Sequence, residues 1–339
     1  MLSYEFSFFI TKLGFFLGFF VNNFLIYITV SHVRKVDVTY KMMVAFFAML
    51  GLFFTGWGLI AKPFMHNFNE SFVFFSLRTT VSQKFFQFSA AFYAGISIAL
   101  LALLSVQFVF RYFVLLKPEA AKKSDGSGGV FWLIYPTLPG LLYYCSFYLY
   151  CLPDHYADTY VSTEMRQKYG LDINIIPRFT IMSYNSDESI RWSSVCFLIQ
   201  CVLIIGFHYG IIIFYGIKTH LLMKKKLHEF STTNARLHSQ IFKALIVQVL
   251  VPTFMFVLPG GVAFVGPFLS SALEMDVSLR SGWLLSVFST YPVIDCILFM
   301  IIVTEYKRSV ANRVVGVFQP NAAFSAQSFT IDVRARVAN

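Results

Sequence analysis

Residues 85–110, FFQFSAAFYAGISIALLALLSVQFVF, run from Lys84 to Arg111 without one charged side chain. At a rise of 1.5 Å per residue, a helix of this length crosses the roughly 30 Å hydrocarbon core of a bilayer. In hydrocarbon a lone segment can satisfy its backbone N–H and C=O groups only as a helix. The stretch is therefore read as a transmembrane helix. Six further windows share its length and composition: Phe6–Val30, Met42–Ala61, Val130–Leu152, Ser193–Ile217, Ala244–Leu269 and Trp283–Thr304. The expected fold class is all-α, a seven-transmembrane helix bundle.

The whole chain supports that reading. Of its 339 residues 57% are hydrophobic and only 13% charged, with a mean hydropathy of +0.65. Soluble globular chains carry about 25% charged residues, so the natural solvent here is the lipid bilayer. A net charge of +10 would suggest nucleic acid as the partner of a soluble chain. No basic face interleaved with aromatics supports that, and nucleic acid is excluded as a partner. The five cysteines form no CxxC pattern, and His208 has no second ligand at i+4, so no metal is expected. Walker, GxSxG and HExxH motifs are absent, and the seventh window contains no lysine for a retinal Schiff base. The chain is expected to be no enzyme and to hold no cofactor.

Orientation follows from the loops. The first window lacks the basic start of a cleavable signal peptide and is read as a retained helix. With the N-terminus outside, the inner segments 31–41, 111–129, 218–243 and 305–339 hold 18 Lys and Arg. The outer segments 62–84, 153–192 and 270–282 hold 8. Basic residues collect on the cytoplasmic side, so the N-terminus is assigned outside. The sequon at Asn69 then falls in an outer loop, as glycosylation requires. The longest outer loop, 153–192, is a candidate cover for the mouth of the bundle. The inner loop 117–129, with KKSDGSGG, reads as a flexible connector. After the seventh window Tyr306, Val310, Val314 and Phe318 recur every four residues between basic ones, which predicts a short amphipathic helix on the inner surface. The chain divides into a seven-helix domain over 1–318 and a cytoplasmic tail over 319–339, expected to be disordered.

A few residues stand out against the apolar background. Asp295 lies inside the seventh window, where a carboxyl group must face protein or water. With the kink-permitting Pro292 beside it, in Tyr291-Pro292-Val293-Ile294-Asp295, it reads as a polar switch or an ion site, against the plainer reading of a structural hydrogen bond between helices. Arg111 ends the third window, either as a snorkelling interface arginine or as an inner latch, with Tyr112 beside it. Pro252 and Pro259, followed by Gly260 and Gly261, interrupt the sixth window and bend it, statically or as a pivot. Phe88, Phe92 and Tyr93, near the outer end of the third window, are candidates for a ligand pocket, against a plain core or lipid-facing role. Asn22, Asn23, Gln107, Gln200, His208 and Gln248 read as interhelical hydrogen-bonding groups.

Three motifs resemble one known family. Residues 105–113, SVQFVFRYF, are similar to the end of helix three in nematode serpentine chemoreceptors of the Str superfamily. Residues 243–248, KALIVQ, with Val251-Pro252-Thr253 and Leu258-Pro259, resemble its helix six. Residues 291–295, YPVID, followed by 305–308, EYKR, resemble its YPxxDP and YR ending. One departure is clear: the family pattern has proline after the aspartate, and this chain has Cys296, which predicts a seventh helix that bends less. The resemblance implies a G-protein-coupled receptor for a small, odorant-like molecule, in the plasma membrane of sensory cilia on chemosensory neurons. It implies that Arg111 and Tyr112 face a heterotrimeric G protein, and that Tyr291, Pro292 and Asp295 belong to the helix-seven switch. The rival reading is a seven-helix transporter or ligand-gated channel, which predicts a polar path or paired repeats that these windows do not offer.

Overall fold

The computed structural model of the chain describes residues 2–33, 36–77, 82–117, 127–226 and 231–318. Arg34 and Lys35, most of the connector (118–126) and the tail 319–339 lie outside these residues.

Seven membrane-length helices are present: Glu5–Ser31, Val38–Ala61, Gln83–Leu116, Gly129–Tyr150, Trp192–Lys226, Thr232–Ala272 and Trp283–Ile302. We number them as spans one to seven. Each coincides with one expected window, and span six reaches about three turns further inward than its window. Span three is the most buried and packs on spans two, four and five; span seven packs on one and six. Spans three and four cross closely at Gly95 and Gly140, where an added Cβ on either residue would come within 2.9 Å of the other's carbonyl oxygen. Small residues of this kind let helix backbones approach in lipid.

Prolines break three spans locally. Span four pauses at Tyr135–Pro136 between helices Ser127–Ile134 and Thr137–Tyr150. Span six runs as an α-helix to Pro252, makes a π-helical turn over Thr253–Val257, and resumes at Leu258–Ala272. A proline donates no N–H to the preceding turn, and π turns commonly absorb such interruptions. Span seven pauses after Phe288, then continues from Tyr291 to Ile302 with Pro292 in its first turn. It runs helical through Asp295 and Cys296. The helix Thr304–Phe318 follows, with Tyr306 buried at its start.

The outer loops, read from sequence only as connectors, fold into a four-stranded antiparallel sheet. We label the strands β1 (Pro63–Phe68), β2 (Ser71–Ser76), β3 (Arg178–Met182) and β4 (Ser278–Leu279), in spatial order β3-β2-β1-β4. β1 and β2 are runs of bulky residues joined by a two-residue turn at Asn69–Glu70, with Asn69 in the left-handed region at φ 46°. That is the hairpin arrangement such turns favour. All of β2 is buried. A helix from His155 to Tyr169, N-capped by Asp154 and closed by Gly170 at φ 69°, lies in the same outer layer. Arg178 of β3 grips Asp158 of this helix with two hydrogen bonds, at 2.7 and 2.5 Å. The loop 153–192 thus helps to cover the outer mouth.

The core of this outer layer holds a polar cluster of four residues. His66 Nε2 lies 3.2 Å from Glu164 Oε1, Tyr169 O–H lies 3.1 Å from His66 Nδ1, and Ser278 donates to Glu164 at 2.6 Å. A neutral imidazole protonated at Nε2 satisfies both of its contacts. Burial holds the His66 pKa below the usual histidine value, against the pull of Glu164, and Lys168 and Arg280 add to the lowering. Because the folded pKa lies below the unfolded one, this site contributes fully above about pH 6.5 and loses its contribution as the pH falls further. The unfolding temperature of the full chain in lipid nanodiscs is therefore expected to drop between pH 7.5 and 5.5. The drop should shrink in His66→Gln; an unchanged pH profile in that variant would assign the dependence elsewhere.

Candidate functional site

Between spans three, five and six, beneath the sheet, lies a cavity of about 450 Å³. Leu101 and Leu104 of span three, Ile205 of span five and Phe264 of span six form its walls. Met65, Phe72 and Phe74 of the hairpin form its roof. At the floor stand Pro252, Phe256, Phe288 and Tyr291, where spans six and seven meet. Their rings stack in series: Phe256 on Phe288 at 4.2 Å, and Phe288 on Tyr291 at 5.7 Å. Hydroxyl groups are few. Tyr209 and Thr253 bond each other at 2.5 Å. Tyr291 is 1% exposed, and among the described residues its hydroxyl has no hydrogen-bond partner. The lining is thus almost wholly apolar, and the cavity suits a small, largely apolar molecule.

Only one of the three aromatic candidates on span three reaches this cavity. Tyr93 lines it. Phe88 and Phe92 stack on each other at 5.6 Å and pack against Trp57 of span two, with Phe88 also meeting Tyr144 of span four. The reason is periodicity: positions four apart share a helix face, and the next residue lies about 100° round. Phe88 and Phe92 are thereby corrected to helix-packing residues.

One helical turn further inward lies a polar layer. Asp295 is 0% exposed, and its Oδ2 accepts a hydrogen bond from Gln248 Nε2 at 2.7 Å, joining spans six and seven. Cys296, next along span seven, donates its thiol to Asn22 Oδ1 of span one at 2.9 Å. The residue that departs from the family pattern is thus a tie between spans seven and one. Pro292 is buried and sits over Gly51 of span two, where an added Cβ would stand 2.9 Å from the proline Cβ.

At the inner end Arg111 is 2% exposed, so it does not snorkel. Its guanidinium hydrogen-bonds His238 of span six, and Tyr40 and Asp37 are its electrostatic neighbours. Tyr112 turns away, its ring against Phe113 and against Tyr215 of span five. Span six is also held to the helix after span seven. Gln240 donates to Thr304 Oγ1 at 2.5 Å and accepts from the Thr304 amide at 3.0 Å. Pro259 lies apart from all of this, at a second cavity of about 410 Å³ between the outer ends of spans six and seven. Asn69 occupies the β1–β2 turn, and its side-chain oxygen accepts from the Val277 amide at 2.8 Å. Among the described residues no cluster of His, Cys, Asp and Glu could hold a metal ion.

His238, Gln240 and Tyr209 escaped the sequence reading. The first two lie inward of the expected sixth window, and nothing in the sequence pairs Tyr209 with Thr253. The profile of the family described as "Serpentine type 7TM GPCR chemoreceptor Str" matches residues 7–311. G-protein coupled receptor str-33 of Caenorhabditis elegans is 33% identical over 315 residues, which cover 91% of this chain and 90% of that protein. Serpentine receptor class r-10 of the same organism is 26% identical, over 82% of each. In three dimensions the chain is similar to the crystal structure of squid rhodopsin, with a TM-score of 0.58 at 13% identity, over 93% of this chain and 86% of that one. At that identity the likeness concerns the fold.

The bond between Asp295 and Gln248 can be weighed by a double-mutant cycle with Asp295→Leu and Gln248→Leu. Each single replacement strands a buried polar partner, so the double variant should be more stable than the two losses added together. The expected coupling is about 1 kcal/mol, read from detergent unfolding curves. Strict additivity would show that the bond contributes nothing.

Proposed function

This chain belongs to the Str family of serpentine 7TM GPCR chemoreceptors, and we propose that it binds a small odorant-like molecule in the cavity under the outer sheet. Binding there displaces spans six and seven and engages a heterotrimeric G protein at the inner side. The observation that carries this reading is a spacing. Tyr291 and Pro252, at the cavity floor, each stand one helical turn from Asp295 and Gln248, the two partners of the buried bond between spans six and seven. A molecule that presses on the floor acts on that bond through rigid helix.

The inner end supplies the output. His238 lies further along the same α-helical piece as Gln248, so a pivot at the π turn carries it away from Arg111. Separation of the two opens an inner cleft and exposes the guanidinium to a partner. Tyr112 takes no part in that cleft on this reading; its ring supports span five. The same reading locates the protein in the ciliary membrane of chemosensory neurons. A fluorescent fusion that remains in the cell body would count against that location.

The test needs no known ligand at its first step. In cells carrying a promiscuous G protein, His238→Ala removes the latch and is expected to raise basal signalling about tenfold, as the loss of about 1.5 kcal/mol from a hydrogen bond to a charged group implies. Arg111→Ala should lower signalling to background at unchanged surface expression, alone and combined with His238→Ala. Tyr291→Ala removes the ring that ends the floor stack and should weaken the response to a ligand found by screening at unchanged surface expression. Normal signalling from Arg111→Ala would overturn the assignment of the inner cleft. A ligand-gated current that persists with G-protein signalling blocked would favour a channel.

A further inference from the structure

The cavity meets its surroundings on two sides, and only one is open. On the outer side Met65, Phe72 and Phe74, all buried, form a roof within the four-stranded sheet. On the membrane side the wall between spans five and six is incomplete. Span five packs on spans three and four and keeps little company with span six. Among the described residues two contacts bracket the gap. Phe197 meets Phe264 at 6.1 Å near the outer end, and Tyr209 bonds Thr253 at 2.5 Å further in. Twelve residues of span five separate Phe197 from Tyr209, about 18 Å of helix.

Four residues at or beside this gap, Val202, Gly206, Gly261 and Val265, both line the cavity and are exposed on the membrane side. Val202 is 67% exposed and Val265 46%, and Gly206 and Gly261 are exposed beside them. A Cβ built on Gly206 or Gly261 meets nothing within 4 Å, so the space there is open.

We infer that the ligand reaches this cavity sideways from the bilayer, through the window between spans five and six at Val202, Gly206, Gly261 and Val265, and that the ligand is a membrane-partitioning apolar molecule. The inference rests on the proposed ligand role of the cavity. It goes beyond that role by fixing the route and the chemical class. A neutral apolar molecule concentrates in hydrocarbon before it binds, whereas an ion is excluded from that path. The sheet then acts as a permanent roof, and binding requires no opening of the outer layer.

The route is tested on the full chain in lipid nanodiscs with two photoreactive probes. One is a ten-carbon alcohol bearing a diazirine, which dissolves in the bilayer. The other is an aryl diazirine carrying a sulfonate, of similar volume and confined to water. The alcohol is expected to label cavity residues such as Leu101 and Phe264, and the sulfonate to label only the outer surface. Gly206→Trp and Gly261→Trp fill the window and should slow cavity labelling by the alcohol at least about tenfold. Gly210→Trp, on the same span but inward of Tyr209, also points into open space and should leave the rate unchanged.

Equal labelling rates in the parent chain and in both window variants would overturn the lateral route while leaving the cavity a binding site. Cavity labelling by the sulfonate would overturn it in the parent chain alone, whether or not the variants fold. No cavity labelling of the parent chain by either probe would overturn the route together with the ligand role of the cavity.

Discussion

Lipid surrounds this chain, and most polar groups inside its spans take a partner on another span or in their own helix. Two of these pairings hold span seven. Asp295 bonds Gln248 and so sets span seven against span six. Cys296 bonds Asn22 and sets span seven against span one. Adjacent residues on one helix point to different neighbours, so one turn of span seven is held on two sides. Apolar packing alone would tolerate a helix turned about its axis, because lipid is as apolar as the neighbouring spans. The polar contacts remove that freedom, and every feature above and below them inherits its register.

The outer layer answers a different demand. Water lies on that side, so strands are permitted, provided their edges are short or covered. The edge strands are β3, which is buried, and β4, which has only two residues. The ion pair of Arg178 with Asp158 and the contacts of His66 with Glu164 and Tyr169 hold the 155–169 helix to the sheet. The result is a roof fixed to the ends of spans two, three, six and seven, with Asn67 of β1 donating to the Ala263 carbonyl of span six. A fixed roof moves the working parts of the molecule to the membrane side and the floor, where span six is interrupted.

Much of this was legible in the sequence, because hydrocarbon imposes a length and a composition that are hard to imitate. All seven windows became helices, and the prolines of span six marked a real interruption. The outer hairpin was missed because only half of its signal is present: β2, SFVFFS, is a run of strand formers, but β1, PFMHNF, carries Pro63, His66 and Asn67, which read as loop. The eye for twenty-residue apolar windows passes over it. The pairings were missed for another reason. Which face of span three points inward depends on the tilt and rotation that the polar ties set, and neither is written in one segment. Phe88 and Phe92 therefore looked as good as Tyr93. Gln248 was visible as a polar residue, but only the assembled bundle shows that it meets Asp295. His238 was hidden further inward, where span six continues past its apolar stretch into polar sequence.

The interrupted span also separates two properties of a ligand. Contacts with the walls, Leu101 and Leu104 on the central span, are the same whether or not span six pivots, since span three is held by neighbours on several sides. Such contacts raise affinity and shift no equilibrium, because a molecule that binds two states equally favours neither. Contacts with the floor differ between states. Phe256 belongs to the π turn, and its stack on Phe288 and Tyr291 must change if the inner piece of span six swings. A molecule that wedges into this stack, or takes up the Tyr291 hydroxyl, gains or loses energy as the helix moves. On the proposed reading, tight binding and strong activation are governed by different residues, and a ligand that fills the upper cavity without reaching the floor is expected to bind and stay silent.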